Sequence, residues 1–391
     1  MELVRLVRRD GLSVTSSAES LGVSRKTAHK WLCRFEEGGR AALVDRSRAP
    51  RSHPNQMSDE IRMLVIGERQ KHPRWGPRKI LDRLVLDGFE REDLPSASTM
   101  SDLFVRAGLV KPTRRRSPLV SGGGVNATST DPNDLWTVDF KGDFKLGNGT
   151  RCYPLTIQDH HSKYMLTVRA CPNTGSAGVR DAFRHVFKAF GVPRRILSDN
   201  GVPFAAPGLT GMSLVAIDWL KQDIVIERTR SASPQDNGSH ERMHRDLKAE
   251  TTRPPCRTMR GQQCRMTSWY GDRNHDRPHE ALDGLTPGMV YESSARAYNP
   301  SPAEWEYPGH WEVRKVQQNG MLTWRTGEVF ISSALRSERV GLEEIDDGIW
   351  RLCYRGLQIG LLNERDRRGT RIVAPTPWWV TKPRHGAEAT P

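Results

Sequence analysis

Three acidic residues stand where chemistry could be done: Asp139 in LWTVDFKG, Asp199 in RRILSDNG and Glu241 in SASPQDNGSHERMHRDLK. The first two each close a short apolar segment of strand type, Leu135, Trp136 and Val138 before Asp139 and Ile196 and Leu197 before Asp199. A carboxylate where a buried strand meets a loop is placed to converge with others. Glu241 opens a helix-compatible run that follows a loop rich in Pro, Asn and Gly. Arg242, Arg245 and Lys248 recur at spacings of three and so share one side of that helix. Three converging carboxylates can hold two hard divalent cations. Two such ions a few Å apart activate a nucleophile and stabilise a leaving oxygen in phosphoryl transfer. A cationic stripe beside them suits a phosphate backbone running along the helix; an ordinary solvated helix face would carry the same charges.

Taken in order, WTVDFKG, LSDNG and SPQDNGSHERMHRDLK resemble the integrase catalytic core of DDE transposases and retroviral integrases. The resemblance is greatest to bacterial insertion-sequence transposases with a helix-turn-helix N-terminus, and it covers residues 130–295. It implies a ribonuclease H-like core with Asp139, Asp199 and Glu241 as catalytic triad and metal ligands. It further implies two Mg²⁺ (or Mn²⁺) ions per active site, bridged by Asp139 and Asp199, with Glu241 completing one site. Asn200 and Gly201 would shape the turn behind Asp199, and Lys248 would touch phosphate. The interval from Asp199 to Glu241 is 42 positions, longer than is usual in the family, and the Gly/Pro-rich PFAAPGLTGMS takes up the excess. Asp236 competes for the third place, but Glu241 holds the NGxxE position.

The chain has 391 residues, enough for several domains, and a formal charge of +14. Such a basic balance points to a polyanion, and nucleic acid is the commonest. Six cysteines without a CxxC pair give neither a zinc pattern nor a disulfide framework. MELVRLVRRDG is not a signal peptide, and no window reaches the length of a membrane span, so a bacterial cytoplasmic, nucleoid-associated protein is expected.

Along the chain, residues 1–45 read as a helix-turn-helix domain. Leu3, Val4, Leu6 and Val7 supply one apolar face; Ala18, Leu21 and Val23 should pack around a turn at Gly22; Ser24 should cap the next helix. Arg25, Lys26, Thr27, His29 and Lys30 project from that helix and could enter a major groove. Residues 58–112 read as a second, winged-helix-like DNA-binding domain, and Arg114, Arg115 and Arg116 begin a basic linker suited to phosphate contact. Within 130–295 the order β-β-β-α-β-α-β-α is expected. Asp159, His160 and His161 read as structural loop residues, Cys152 and Cys171 as buried small ones, and the polar residues of NHDRPHEALDGLTP as braces for the catalytic helix. Alternating residues with turns at Asn319-Gly320 and Asp347-Gly348 make 305–365 a small β-barrel, followed at 366–391 by a basic, partly disordered tail.

The expected function is therefore that of a DNA transposase. It would bind the terminal inverted repeats, nick at the ends and join 3′-hydroxyls to target DNA, acting as a homo-oligomer on DNA, with no membrane partner. A domesticated, inactive DNA-binding regulator and a metal-dependent nuclease without strand transfer are the rival readings; three intact acids argue against the first. Because a first-turn helical carboxylate is held more reproducibly than one in a Pro/Asn/Gly loop, Glu241→Gln should abolish nicking and strand transfer with DNA binding kept, whereas Asp236→Asn should retain activity. A nicking assay on preformed protein–DNA complexes tests this, and the opposite ranking would reassign the third acid.

Overall fold

The computed structural model describes residues 1–45, 57–110, 128–206, 210–229, 238–325, 327–365 and 371–373; for Gly238, Ser239, Glu241 and 371–373 it describes the backbone alone. The chain divides into two compact units, Met1–Glu60 and Ile61–Pro391.

In the first unit, α1 (Glu2–Arg8), α2 (Val14–Ser20) and α3 (Arg25–Gly38) enclose Val4, Ala18, Ala28 and Leu32. Ser13 and Ser24 cap α2 and α3, their hydroxyls accepting from the Ser16 and Thr27 amides. Gly22 makes the turn at φ +64°, a conformation that strains any residue with a Cβ. Leu21 and Val23, expected inside, are 37% and 38% exposed. Helix α2 already ends at Ser20, so both residues belong to the turn rather than to a packed helical face.

The second unit begins with the remainder of α4 (Asp59–Lys71), then α5 (Pro77–Leu86) and α6 (Ala97–Arg106), closed around Val65, Ile80, Leu84, Met100 and Phe104. Pro77 starts α5, where its missing N–H costs nothing, and Ser96 caps α6. The outer side of α5 is held by the closing motif of the core. Arg78 pairs with Glu280 at 2.9 Å, Lys79 donates to the Pro278 carbonyl at 2.7 Å, and Arg83 donates to the Asp276 carbonyl at 3.3 Å.

The core is a sheet ordered β4–β3–β1–β5–β6, made of β1 (Leu135–Phe140), β3 (Arg151–Asp159), β4 (Met165–Cys171), β5 (Arg195–Ser198) and β6 (Val225–Arg228), with β2 (Phe144–Lys145) paired to the start of β3. The first strands are antiparallel, and β5 and β6 run parallel to β1. Strand residues alternate between faces. Trp136, Val138, Leu155 and Ile157 meet Val179, Phe183 and Phe187 of α7 (Ser176–Phe190) and Trp219 of α8 (Leu214–Lys221). On the other face, Met165 and Val168 meet Met243 and Leu247 of α9 (Gly238–Thr251) and Met266 and Trp269 of α10 (Met259–His275). The ribonuclease H-like class expected from the residues is the class observed. The edge strand β4 is covered by side-chain amides of α10. Gln263 bonds both the Ala170 amide and the Val168 carbonyl, and Asn274 does the same for Met165.

Beyond the core, β7 (Glu312–Lys315), β10 (Arg339–Asp346), β11 (Ile349–Tyr354), β12 (Leu357–Asn363) and β13 (Arg371–Val373) form one sheet, ordered β13–β12–β11–β10–β7, while β8 (Met321–Trp324) and β9 (Gly327–Phe330) form a separate hairpin. The region is β-rich, as expected, but it is not a barrel: among the described residues no ladder joins β8 to β7 or β9 to β13. The chain reverses at Asn319-Gly320, and the hairpin then meets the sheet through side chains, Leu322, Trp324 and Val329 against Leu342, Trp350 and Leu352. Asp347-Gly348 makes the two-residue turn between β10 and β11.

Helix α9 is clamped from its second side. Arg277, 8% exposed, donates to Asp246 at 2.9 Å and to Glu250 at 3.4 Å, and Trp269 donates to Glu250 at 2.6 Å. Replacing Arg277 by Met should deprive Asp246 and Glu250 of the guanidinium they share and destabilise the core by about 3 kcal/mol. A second change, Asp246→Asn, should recover part of that loss. The midpoint of denaturant unfolding for wild type and both variants measures it.

Candidate active site

The pleat of β1 decides what reaches α9. With Trp136 and Val138 turned to one face, Thr137 and Asp139 take the other, and so does Thr156 of β3. Helix α9 sends two histidines to meet them. His240 Nε2 lies 2.7 Å from Thr137 Oγ1, and His244 Nε2 lies 2.9 Å from Thr156 Oγ1. At i and i+4 the two rings share one helical face, with centroids 5.3 Å apart, and both are buried. His244 Nδ1 lies 3.7 Å from Asp139 Oδ2.

Asp199 comes to the same place through the parallel pairing of β1 with β5. Thr137 is level with Leu197, and two residues further along each chain stand Asp139 and Asp199. Burial, and then the charge of Asp199, push the Asp139 carboxyl up to about 7. Asp199 itself is exposed, and its Oδ1 accepts from the Gly201 amide at 3.2 Å. A Cβ on Gly201 would stand 3.0 Å from Asp199 Oδ2, so glycine leaves the carboxylate its room. Arg228 supports the same turn from beneath. Its buried guanidinium donates to Ser198 Oγ at 2.6 Å and to the carbonyls of Asp199 and Phe204 at 3.1 and 2.5 Å. Burial pulls its pKa down to about 10, against the opposing pull of Asp199.

Both histidines are neutral: burial and then Lys141 press His244 down to about 3, and burial, foremost, carries His240 well below the usual imidazole range. Asp139, His240 and His244 each present a ligand atom within 4.8 Å of the others, a group that can hold a metal ion. Among the residues singled out from sequence, Asp139 and Asp199 are thus brought together. Glu241 lies in α9, and its side chain is outside the described residues. Arg242, Arg245 and Lys248 are exposed on α9. Arg25, Lys26, His29 and Lys30 are exposed on α3, whereas Thr27 is half-buried and bonded to the capping Ser24. Arg114, Arg115 and Arg116 lie outside the described residues. Asp159 is fully buried and accepts from the amides of Asn133 and Ser162 at 2.7 and 2.8 Å, a structural brace. The sequence reading missed His240, His244 and Arg228; the signal for the first two was their spacing of four within SHERMH.

Residues 129–232 and 222–287 match two family models, each described as an integrase core domain. Residues 129–287 are thus similar to an integrase core. Ahead of it, residues 1–51 match a helix-turn-helix domain and 27–103 a homeodomain-like domain; behind it, 311–369 match the C-terminal domain of IS481 family transposases. The chain is similar to the uncharacterized 31.7 kDa protein of insertion element IS407 from Burkholderia multivorans (strain ATCC 17616 / 249), 24% identical over 207 residues, covering 52% of this chain and 72% of the relative. It is also similar to the uncharacterized protein y4bC/y4pJ of Sinorhizobium fredii (strain NBRC 101917 / NGR234), 34% identical over 71 residues, covering 18% of this chain and 46% of that one. Among solved structures it is similar to the simian T-cell lymphotropic virus intasome in complex with a PP2A regulatory subunit, at TM-score 0.38 and 15% identity over 81% of this chain and 96% of that one. The integrase catalytic core of HTLV-2, solved with magnesium, gives TM-score 0.32 and 16% identity over 42% of this chain and all of that one. Among the described residues no helix is long and apolar enough to cross a membrane.

The raised Asp139 carboxyl makes the metal-free integrase core sensitive to pH. A folded-state value near 7 against an ordinary 3.8 means that the fold retains a proton which the unfolded chain gives up, so stability falls as pH rises between those values. Asp139→Asn removes that loss. In excess chelator the variant should melt a few degrees above wild type at about pH 8 and level with it at about pH 4, as read by thermal unfolding.

Proposed function

We propose that the chain is a DDE-type DNA transposase that binds the terminal repeats of its element, nicks DNA at the ends and joins the freed 3′-hydroxyls to target DNA. The observation that carries the reading is the adjacency of Asp139 and Asp199 at the ends of two parallel neighbouring strands, beneath the helix that bears Glu241. Asp139, whose carboxyl is pushed up by burial and then by the charge of Asp199, would be stabilised as an anion by a cation beside it, so the residues present fit a divalent metal. Mg²⁺ or Mn²⁺ held by Asp139, Asp199 and Glu241 would activate the attacking oxygen and stabilise the leaving one.

The chain's own residues do the rest. Arg228 and Gly201 hold the Asp199 turn, and Arg277 holds α9. The exposed Arg242, Arg245 and Lys248 suit a phosphate backbone passing along α9. Arg25, Lys26, His29 and Lys30 on α3 suit the major groove of a terminal repeat. Water and a DNA 3′-hydroxyl are interchangeable nucleophiles for such a site, which lets one set of acids serve nicking and then joining. A homo-oligomer on DNA would hold two element ends together.

With the full chain and DNA carrying its terminal repeats, cleavage should need Mg²⁺ or Mn²⁺ and vanish in Asp139→Asn and in Asp199→Asn, with end binding retained. Arg25→Ala with Lys26→Ala should instead weaken end binding, and affinity should fall steeply with salt. Cleavage that persists in excess chelator would overturn the assignment.

A further inference from the structure

The hydrogen-bond inventory around Thr156 assigns the second nitrogen of His244 a task. Thr156 stands directly opposite Asp139 in the β1–β3 register. Its Oγ1 lies 3.0 Å from the Asp139 carbonyl oxygen and 2.9 Å from His244 Nε2. A hydroxyl has one hydrogen, and a carbonyl can only accept. The Thr156 hydrogen therefore goes to the Asp139 carbonyl, and Oγ1 accepts the Nε2–H of His244. A neutral imidazole has a single N–H, so Nδ1 carries a bare lone pair. That lone pair meets Asp139 Oδ2 at 3.7 Å, in a site where the histidine side chain is 5% exposed. A lone pair aimed at a carboxylate oxygen at this distance makes the two atoms a pair of ligands for a cation between them.

We infer that His244 Nδ1 is a ligand of the divalent metal held by Asp139, so that this site is a mixed nitrogen–oxygen site rather than one of carboxylates alone. The inference rests on the reading of Asp139 as a metal-binding residue. Two neighbouring donors each about 2.1 Å from one octahedral metal stand roughly 3.0 Å apart. The observed 3.7 Å closes with a side-chain adjustment of about 0.7 Å. The bond from Nε2–H to Thr156 is the kind of support that metal-bound histidines have, fixing both tautomer and ring plane. His240, on the preceding turn of α9, repeats the pattern in part. Its Nε2 meets Thr137 Oγ1, and its buried Nδ1 has no hydrogen-bond partner among the described residues. An imidazole nitrogen favours Mn²⁺ and later first-row ions over Mg²⁺, so the site should take Mn²⁺ in preference to Mg²⁺.

The test uses the tag-free full chain loaded with Mn²⁺, without DNA, and reads metal affinity by titration and nitrogen coupling by pulsed EPR. His244→Gln is the diagnostic variant, because the glutamine amide can still donate to Thr156 while Nδ1 is lost. Wild type should show histidine nitrogen coupling that changes on ¹⁵N-histidine labelling. His244→Gln should lose the coupling and bind Mn²⁺ at least about tenfold more weakly, with a smaller change for Mg²⁺. Mn²⁺ binding that Asp139→Asn abolishes, but that shows no nitrogen coupling in wild type, would overturn the inference and leave the carboxylate site standing. Coupling that persists in His244→Gln would also overturn it. Binding indifferent to Asp139→Asn would remove both the inference and the reading beneath it. The labelled wild-type spectrum decides the matter even where a variant fails to fold.

Discussion

The alternation of side chains along β1 is the constraint on which the site depends. Trp136 and Val138 must be buried against α7 and α8, and that burial forces Thr137 and Asp139 to the opposite face. A slip of one residue would bury the carboxylate in the apolar layer and present Trp136 to α9. The hydrophobic core therefore enforces the register of the chemistry. The antiparallel partner β3 sets Thr156 opposite Asp139, and the parallel partner β5 carries Asp199 to the same level. One strand with two differently directed neighbours assembles the pair of acids and the hydroxyl behind them.

Helix α9 meets that surface with three distinct sides. His240, Met243, His244 and Leu247 recur at helical spacing and are buried against the sheet and α10. Asp246 and Glu250 form a second side, held by Arg277 and Trp269. Arg242, Arg245 and Lys248 form the third, open to solvent. Polar contacts to the strands, made by the histidines, are directional where an apolar contact would not be. They set the rotation of α9 about its axis, and with it the position of the Glu241 backbone. Charge on this helix is thus divided: Asp246 and Glu250 hold it in place, and Arg242, Arg245 and Lys248 stay exposed.

From Ile61 onward the chain forms a single compact unit, and its parts are joined by specific bonds. Helix α5 is tied to the segment after α10 through Arg78, Lys79 and Arg83. The C-terminal sheet is tied to α8 through Lys221 and Glu338 at 2.6 Å, while Met212 and Ile217 enter its apolar core. Helix α6 and the C-terminal sheet are thereby fixed relative to the acids.

Much of this was legible in the residues themselves. Strand ends at Asp139 and Asp199, the order of strands and helices in the core and the cap at Ser24 are local matters of periodicity and turn chemistry. The basic stripe of α9 needed only helical geometry. What the sequence could not decide was every feature that depends on which surface meets which. Leu21 and Val23 look like core residues and sit half exposed, because the turn rather than the pattern sets their position. Alternating strands after residue 305 are compatible with a barrel, but closure depends on ladders between residues distant in sequence, and the chain forms an open sheet with a separate hairpin. Arg228 reads as one more basic residue until β6 is seen to end behind Asp199. The two histidines of SHERMH looked like helix filler beside a more conspicuous glutamate. Only the docking of α9 on β1 and β3 gives each a threonine partner and brings one of them to Asp139. Their chemistry is a property of two elements about a hundred residues apart that meet in the fold.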